Sequence, residues 1–176
     1  DDPQRTISVW FNLSNYSNTV QCILNNDYPQ LSNGHTIFSI RTNDSLNLQS
    51  GNAGSTISPP TLNKWYFICA KRSDSTRYYL NGQLILTTEN AVLNSITALS
   101  QNLRIGVSRF NNLYFNGKID DIAIYNRALT EIEIQQLYTN YSYNWAPGGE
   151  TTSSITVSPT STTTYTVDVT SGSTTC

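Results

Sequence analysis

The sequence predicts an all-β sandwich with one short helix late in the chain, and three observations predict it. Short runs rich in β-branched and aromatic residues recur between clusters of Asn, Ser, Gly and Pro, the pattern of turn-delimited strands. Two of these runs flank Asn81-Gly82, a pair favoured in the type I′ turn of a hairpin. Only after Leu129 does a helix signal follow a strand, where Thr130 with Glu133 three positions on forms a capping box. Many short strands with a single late helix fit a sandwich rather than alternating β-α units.

The elements follow in order. Residues 6–12 alternate, with Ile7, Val9 and Phe11 on one face and Ser8 and Trp10 on the other, and residues 20–24 repeat the pattern after a polar loop. Residues 36–41 and 45–49 give two further short strands. Residues 50–60 form a Gly/Ser/Pro-rich loop in which Pro59 and Pro60 forbid a central strand. Residues 65–71 are apolar on both faces, as a central strand requires, and residues 77–87 make the hairpin. Residues 91–100 neither alternate nor show a helical stripe and are expected as a loop with at most one helical turn, after which residues 103–107 resume as a strand. Residues 118–125 follow Phe115-Asn116-Gly117 and are expected as a largely buried strand. In the helix beyond it, Leu129, Ile132 and Gln136 to Leu137 are expected to form the apolar stripe. From Tyr143 the character changes, to Trp145-Ala146-Pro147-Gly148-Gly149 and then a Thr/Ser-rich run with Ile155, Val157, Tyr165, Val167 and Val169 alternating. A strand pair of that size is at best marginally stable alone, so it is expected to dock on the main domain or on another chain.

With 176 residues the chain is long enough for one full domain and an appendage. Charged residues make up 12% and the net charge is -2, so no basic field exists to hold a polyanion, and nucleic acid is excluded as an expected partner. Abundant Asn, Ser and Thr with eleven tyrosines is a composition common to extracellular β-proteins and to sugar-binding surfaces. No apolar run approaches the roughly 20 residues that span a bilayer, and no signal-peptide series stands at the start. Cys22, Cys69 and Cys176 lack short Cys-x-x-Cys spacing; Cys22 and Cys69 are expected as buried thiols, with a disulfide between them as the alternative.

Gly117, Ile119, Asp120, Asp121, Ile124, Tyr125, Asn126, Arg127, Ala128 and Leu129, followed by Glu133, Ile134, Leu137 and Tyr138, fall in one register. This stretch resembles the closing strand and helix of the laminin-G-like, concanavalin A-like jelly-roll domains of secreted bacterial proteins. Trp10 in Ile7-Ser8-Val9-Trp10-Phe11, Trp65, Tyr79-Leu80-Asn81-Gly82 and Leu103-Arg104-Ile105-Gly106 extend the resemblance in the expected order. It implies a concanavalin A-like jelly-roll β-sandwich over residues 1–141, with the family's usual N-terminal strand region missing. Residues 142–176, closing on Thr163-Thr164-Tyr165-Thr166-Val167, resemble the second half of the immunoglobulin-like modules of bacterial surface proteins that use type IX secretion. The two ends together imply a piece of a longer modular protein that is secreted or held at the cell surface.

Such folds host glucanases, which need two carboxylates flanking the scissile bond. The glutamates are Glu89, Glu131, Glu133 and Glu150; none has a carboxylate partner along a strand, and Glu131 and Glu133 suit a helix cap. His35 is the only histidine, which excludes a zinc site built from several histidines, and its place after Asn33-Gly34 reads as a turn residue and not as the base of a triad. No catalytic residue is expected. Calcium binds through oxygen atoms alone, and Asp120 and Asp121 are the candidates for a structural calcium site. In a regular strand their side chains point to opposite faces, so one aspartate at most contributes; the resemblance selects Asp120, and the alternative is that both hydrogen-bond to neighbouring loops. Saccharide binding requires an aromatic platform with amides or guanidinium groups beside it. The loop from Arg109 to Tyr114 supplies these through Arg109, Asn112 and Tyr114, with Tyr79 as a second candidate, while Trp10 and Trp65 are expected in the core. The expected function is a noncatalytic carbohydrate-binding or adhesion module whose partner is a glycan or surface polymer. The alternative is a structural spacer that pairs with neighbouring protein domains, and a glycoside hydrolase ranks third.

Overall fold

A computed structural model describes residues 4–26, 35–50, 53–88, 103–108, 112–152 and 154–172. Two five-stranded antiparallel sheets form the sandwich. The first comprises β1 (Arg5–Leu13), β6 (Trp65–Arg72), β7 (Thr76–Leu80), β8 (Gln83–Thr88) and β10 (Gly117–Tyr125), in the order β10-β1-β6-β7-β8. The second comprises β2 (Gln21–Asn26), β3 (His35–Ile40), β4 (Leu46–Ser50), β5 (Ala53–Ile57) and β9 (Leu103–Ile105), in the order β5-β4-β3-β2-β9. Helix α1 (Glu131–Tyr138) follows β10, and β11 (Asn140–Ala146) pairs with β12 (Thr166–Gly172) in a two-stranded sheet.

Side chains of both sheets meet in one core, with Ile7, Val9, Phe11, Leu13, Ile68 and Tyr78 facing Ile23, Leu24, Phe38, Ile40, Leu46 and Leu48. The other faces of β1 and β6 are covered as well. Trp10, Phe67, Cys69 and Tyr79 pack there beneath Leu129 and Ile134, so both strands are buried on two sides. This is why residues 65–71 lack alternation, and why Trp10 and Phe67 sit in contact at 5.4 Å between ring centroids. The β7–β8 turn has φ of 49° at Asn81 and 75° at Gly82, the positive pair that a type I′ turn demands.

Four expectations need correction. The run 50–60 is not wholly loop, because residues 53–57 pair with β4 as an edge strand; Gly and Ser are tolerated at an edge, and Pro59 and Pro60 lie beyond it. Strand β10 is mostly exposed rather than largely buried, since β1 is its one strand partner among the described residues. Of the expected stripe, Leu129 just before α1 and Leu137 within it meet the sheet together with Ile134 and Tyr138, but Gln136 is exposed and Ile132 is 71% exposed. After the helix the paired strand begins at Asn140, and the segment around Ile155 and Val157 is irregular. The loop expected at residues 91–100 lies outside the described residues.

Candidate functional site

The outer face of the first sheet positions the site. Thr6, buried in β1, ties the strand-to-helix connection down: its hydroxyl donates to the Arg127 carbonyl at 2.9 Å and accepts from the Leu129 amide at 2.9 Å. Thr130 then caps α1, accepting from the Glu133 amide at 3.2 Å while the Glu133 carboxylate accepts from the Thr130 amide at 2.7 Å. Arg127 adds a two-pronged contact to the same carboxylate, at 3.0 and 2.6 Å. These bonds hold Glu133 well below its ordinary 4.5, at about 2, with the Arg127 guanidinium as the largest cause and the Thr130 amide next. Glu133 is therefore occupied by the cap, and Glu131, two residues earlier, is left facing outward.

A groove of about 510 Å³ opens between the β7–β8 hairpin, α1 and the β11–β12 pair. Gln83, Gln135, Gln136, Glu131 and the edge of Tyr79 supply its polar lining, and Tyr143, Leu84, Ile132 and Val169 its apolar surface. The hairpin is fixed to the helix by the Gln135 side-chain amide, which donates to the Gly82 carbonyl. Gly82 is needed for this approach: a Cβ there would lie 2.9 Å from Gln135 Oε1 and 3.0 Å from Tyr138 Cδ1, on a backbone already at positive φ.

The Tyr79 ring is only 2% exposed, so it offers its hydroxyl edge and not a stacking face. That hydroxyl donates to Glu131 Oε1 over a long 3.5 Å. Burial, then the neighbouring Glu131 carboxylate, push the phenol up to about 12 against a weaker opposing pull from Arg77, so it remains a proton donor at physiological pH. In the same cluster, burial pushes the Cys69 thiol up to about 12, which leaves it a packing group rather than a nucleophile. Cys22 is a second buried cysteine, and no disulfide joins the two.

The other expected residues lie elsewhere. Tyr114 is 64% exposed and sits opposite Val107 in an isolated bridge beyond β9. Asn112, exposed in the same loop, accepts from the Ser108 hydroxyl at 2.8 Å. Arg109, the third member expected in this loop, lies outside the described residues. Asp120 and Asp121 are both exposed on β10 and sit at a β-bulge, where the pairing register with β1 shifts between Ser8 and Trp10. Asp121 has φ of 45°, so the expected strict alternation of the two side chains does not apply. Asp120 Oδ1 accepts from the Asp121 amide at 2.9 Å. Among the described residues no three His, Cys, Asp or Glu side chains converge, so calcium held at either aspartate would take most of its oxygens from backbone or amide carbonyls.

Gln83, Gln135, Gln136 and Tyr143 went unmarked by the sequence. Glutamines on a helix and a hairpin form no motif, and only the docking of α1 across the sheet gathers them. A family profile, that of the concanavalin A-like lectin/glucanases superfamily, matches residues 3–135. The chain belongs to this superfamily. Among solved structures, a sialidase of Trypanosoma rangeli aligns with a TM-score of 0.63 at 17% identity, covering 78% of this chain and 22% of its own. A protein of Bacteroides ovatus described as a candidate carbohydrate-binding protein aligns at 0.60 and 18%, over 77% of this chain and 40% of its own. A heptameric SAP-like pentraxin of Limulus polyphemus aligns at 0.57 and 18%, over 77% and 70%. At such identities these likenesses concern the concanavalin A-like fold, and the chain spans about a fifth of the sialidase's length. No curated protein sequence matches.

Proposed function

We propose that this concanavalin A-like domain is a noncatalytic carbohydrate-binding module and that the groove over α1 receives the sugar. The observation that carries the reading is the groove's lining, three glutamine amides, a tyrosine hydroxyl and a carboxylate set beside Tyr143 and three aliphatic side chains. Amides both donate and accept, which suits the mixed hydrogen bonding of sugar hydroxyls, and the apolar patches suit the C–H faces of a pyranose ring. Membership of a superfamily that includes lectins supports it. Glycoside hydrolysis takes two carboxylates about 5–9.5 Å apart, and among the described lining residues Glu131 is the single carboxylate. The module is read as acting outside the cell or at its surface, where polymeric glycans are met, and Tyr114 with Asn112 forms a second, open contact surface beyond the groove.

The test is a glycan array on the intact protein, run with and without EDTA, alongside a turnover assay on β-glucans. Retention of at least one glycan, unchanged by EDTA and without turnover, is expected. An array on which nothing is retained overturns the reading and favours the spacer alternative; loss of binding in EDTA would require a calcium site, with Asp120 and Asp121 the residues to substitute; turnover would refute the noncatalytic assignment.

A further inference from the structure

From the composition of the groove we infer that the ligand is a neutral saccharide and that Glu131 is the residue that rejects acidic ones; this rests on the groove being the sugar site. Every polar group described in the lining is uncharged except Glu131, and none of the described lining residues is basic. Glu131 stands at the first position of α1 with one carboxylate oxygen turned to the Tyr79 hydroxyl. A carboxylate accepts hydrogen bonds and cannot donate, so it pairs with sugar hydroxyls and repels a uronate or sialate carboxylate brought within the same cavity. The remaining charges nearby do not offset this. Arg77 is close enough to act weakly on Tyr79 but does not line the groove. Arg127, on the helix approach, is engaged bidentately by Glu133.

The cavity falls within the span of about 300–1,000 Å³ usual for small-molecule sites and is open between three elements, so a short stretch of an oligosaccharide chain fits better than a globular headgroup. Hydroxyls of such a chain meet Gln83 on the hairpin side and Gln136 on the helix side, while Leu84, Ile132 and Tyr143 provide apolar surface in the lining. Glu131 thus separates ligands by charge at a site whose other contacts are indifferent to it.

The experiment uses calorimetric titration with pairs that share a backbone: cello-oligosaccharide against β-1,4-glucuronate oligosaccharide, and β-1,4-manno-oligosaccharide against β-1,4-mannuronate oligosaccharide. At low ionic strength the neutral member is expected to bind at least tenfold tighter than its acidic counterpart. Glu131→Gln is expected to narrow that ratio several-fold, whereas Asp168→Asn, which removes the same charge from β12 away from the groove lining, is expected to leave it in place. Equal or tighter binding of the acidic members overturns the inference while leaving the carbohydrate reading intact. An equal narrowing by Asp168→Asn also overturns it, since overall charge would then set the preference. A protein that retains no glycan on the array or in these titrations loses the carbohydrate reading first, and this inference falls with it.

Discussion

At the scale of single residues, neighbouring carboxylates have separate duties set by their partners. Glu133 closes the cap of α1 and meets Arg127, whereas Glu131 faces the groove and Tyr79. Because the folded-state value of Glu133 lies below its unfolded one, the native protein holds that proton less tightly than the unfolded chain does. Its contribution to stability is therefore complete above the ordinary carboxylate value and is lost as pH falls through about 2. Thermal melts of the wild type and Glu133→Gln should differ at neutral pH, with the wild type more stable, and converge as the pH is lowered toward 2. A gap that persists undiminished at that pH would show that the carboxylate's charge is not what stabilises the cap. The capping role was legible in the sequence, because Thr130 and Glu133 stand at the required spacing. The outward role of Glu131 was not, because it depends on a tyrosine 52 positions away in sequence.

At the scale of elements, α1 and β10 show what periodicity can and cannot convey. The start of the helix is written in its first turn, but the face it buries is chosen by the sheet beneath it. Ile132 and Ile134 are equally apolar in the sequence, yet one is 71% exposed and the other fully buried. Ile134→Ala is accordingly expected to cost about 2–5 kcal/mol in urea denaturation, and Ile132→Ala to stay within about 0.5 kcal/mol. The reverse order would mean that the helix docks through its other face. Strand β10 was legible as a strand from its β-branched residues, which serve an edge as well as a centre. Its exposure followed from which strands flank it, and the bulge that places Asp121 at positive φ followed from pairing with β1. Strand β5 was hidden because Ala53-Gly54-Ser55 carries no strand propensity and is held by its neighbour β4.

At the scale of the whole molecule, the sandwich and the groove rest on different kinds of information. Apolar residues repeated through the strands of both sheets specify the packed sandwich almost redundantly, and the resemblance carried by Gly117 to Tyr138 named the superfamily that the profile match assigns. The groove has no such redundancy. Its parts come from a hairpin, a helix and a C-terminal strand pair, and each part looks ordinary alone. Exposed aromatic residues were the visible signal, which led to Tyr114 and to Tyr79, and the latter contributes a hydroxyl edge instead of a ring face.

In the proposed function, the groove over α1 is where the domain holds its sugar. Amide chemical-shift mapping of the 15N-labelled protein during titration with a glycan retained on the array tests this most directly. Shifts are expected to cluster at Tyr79 to Leu84, Glu131 to Gln136 and Tyr143, and to vanish in a Gln136→Ala, Tyr143→Ala double variant whose spectrum elsewhere is that of the wild type. Shifts centred on Asn112 and Tyr114, with the groove amides unmoved, would contradict it.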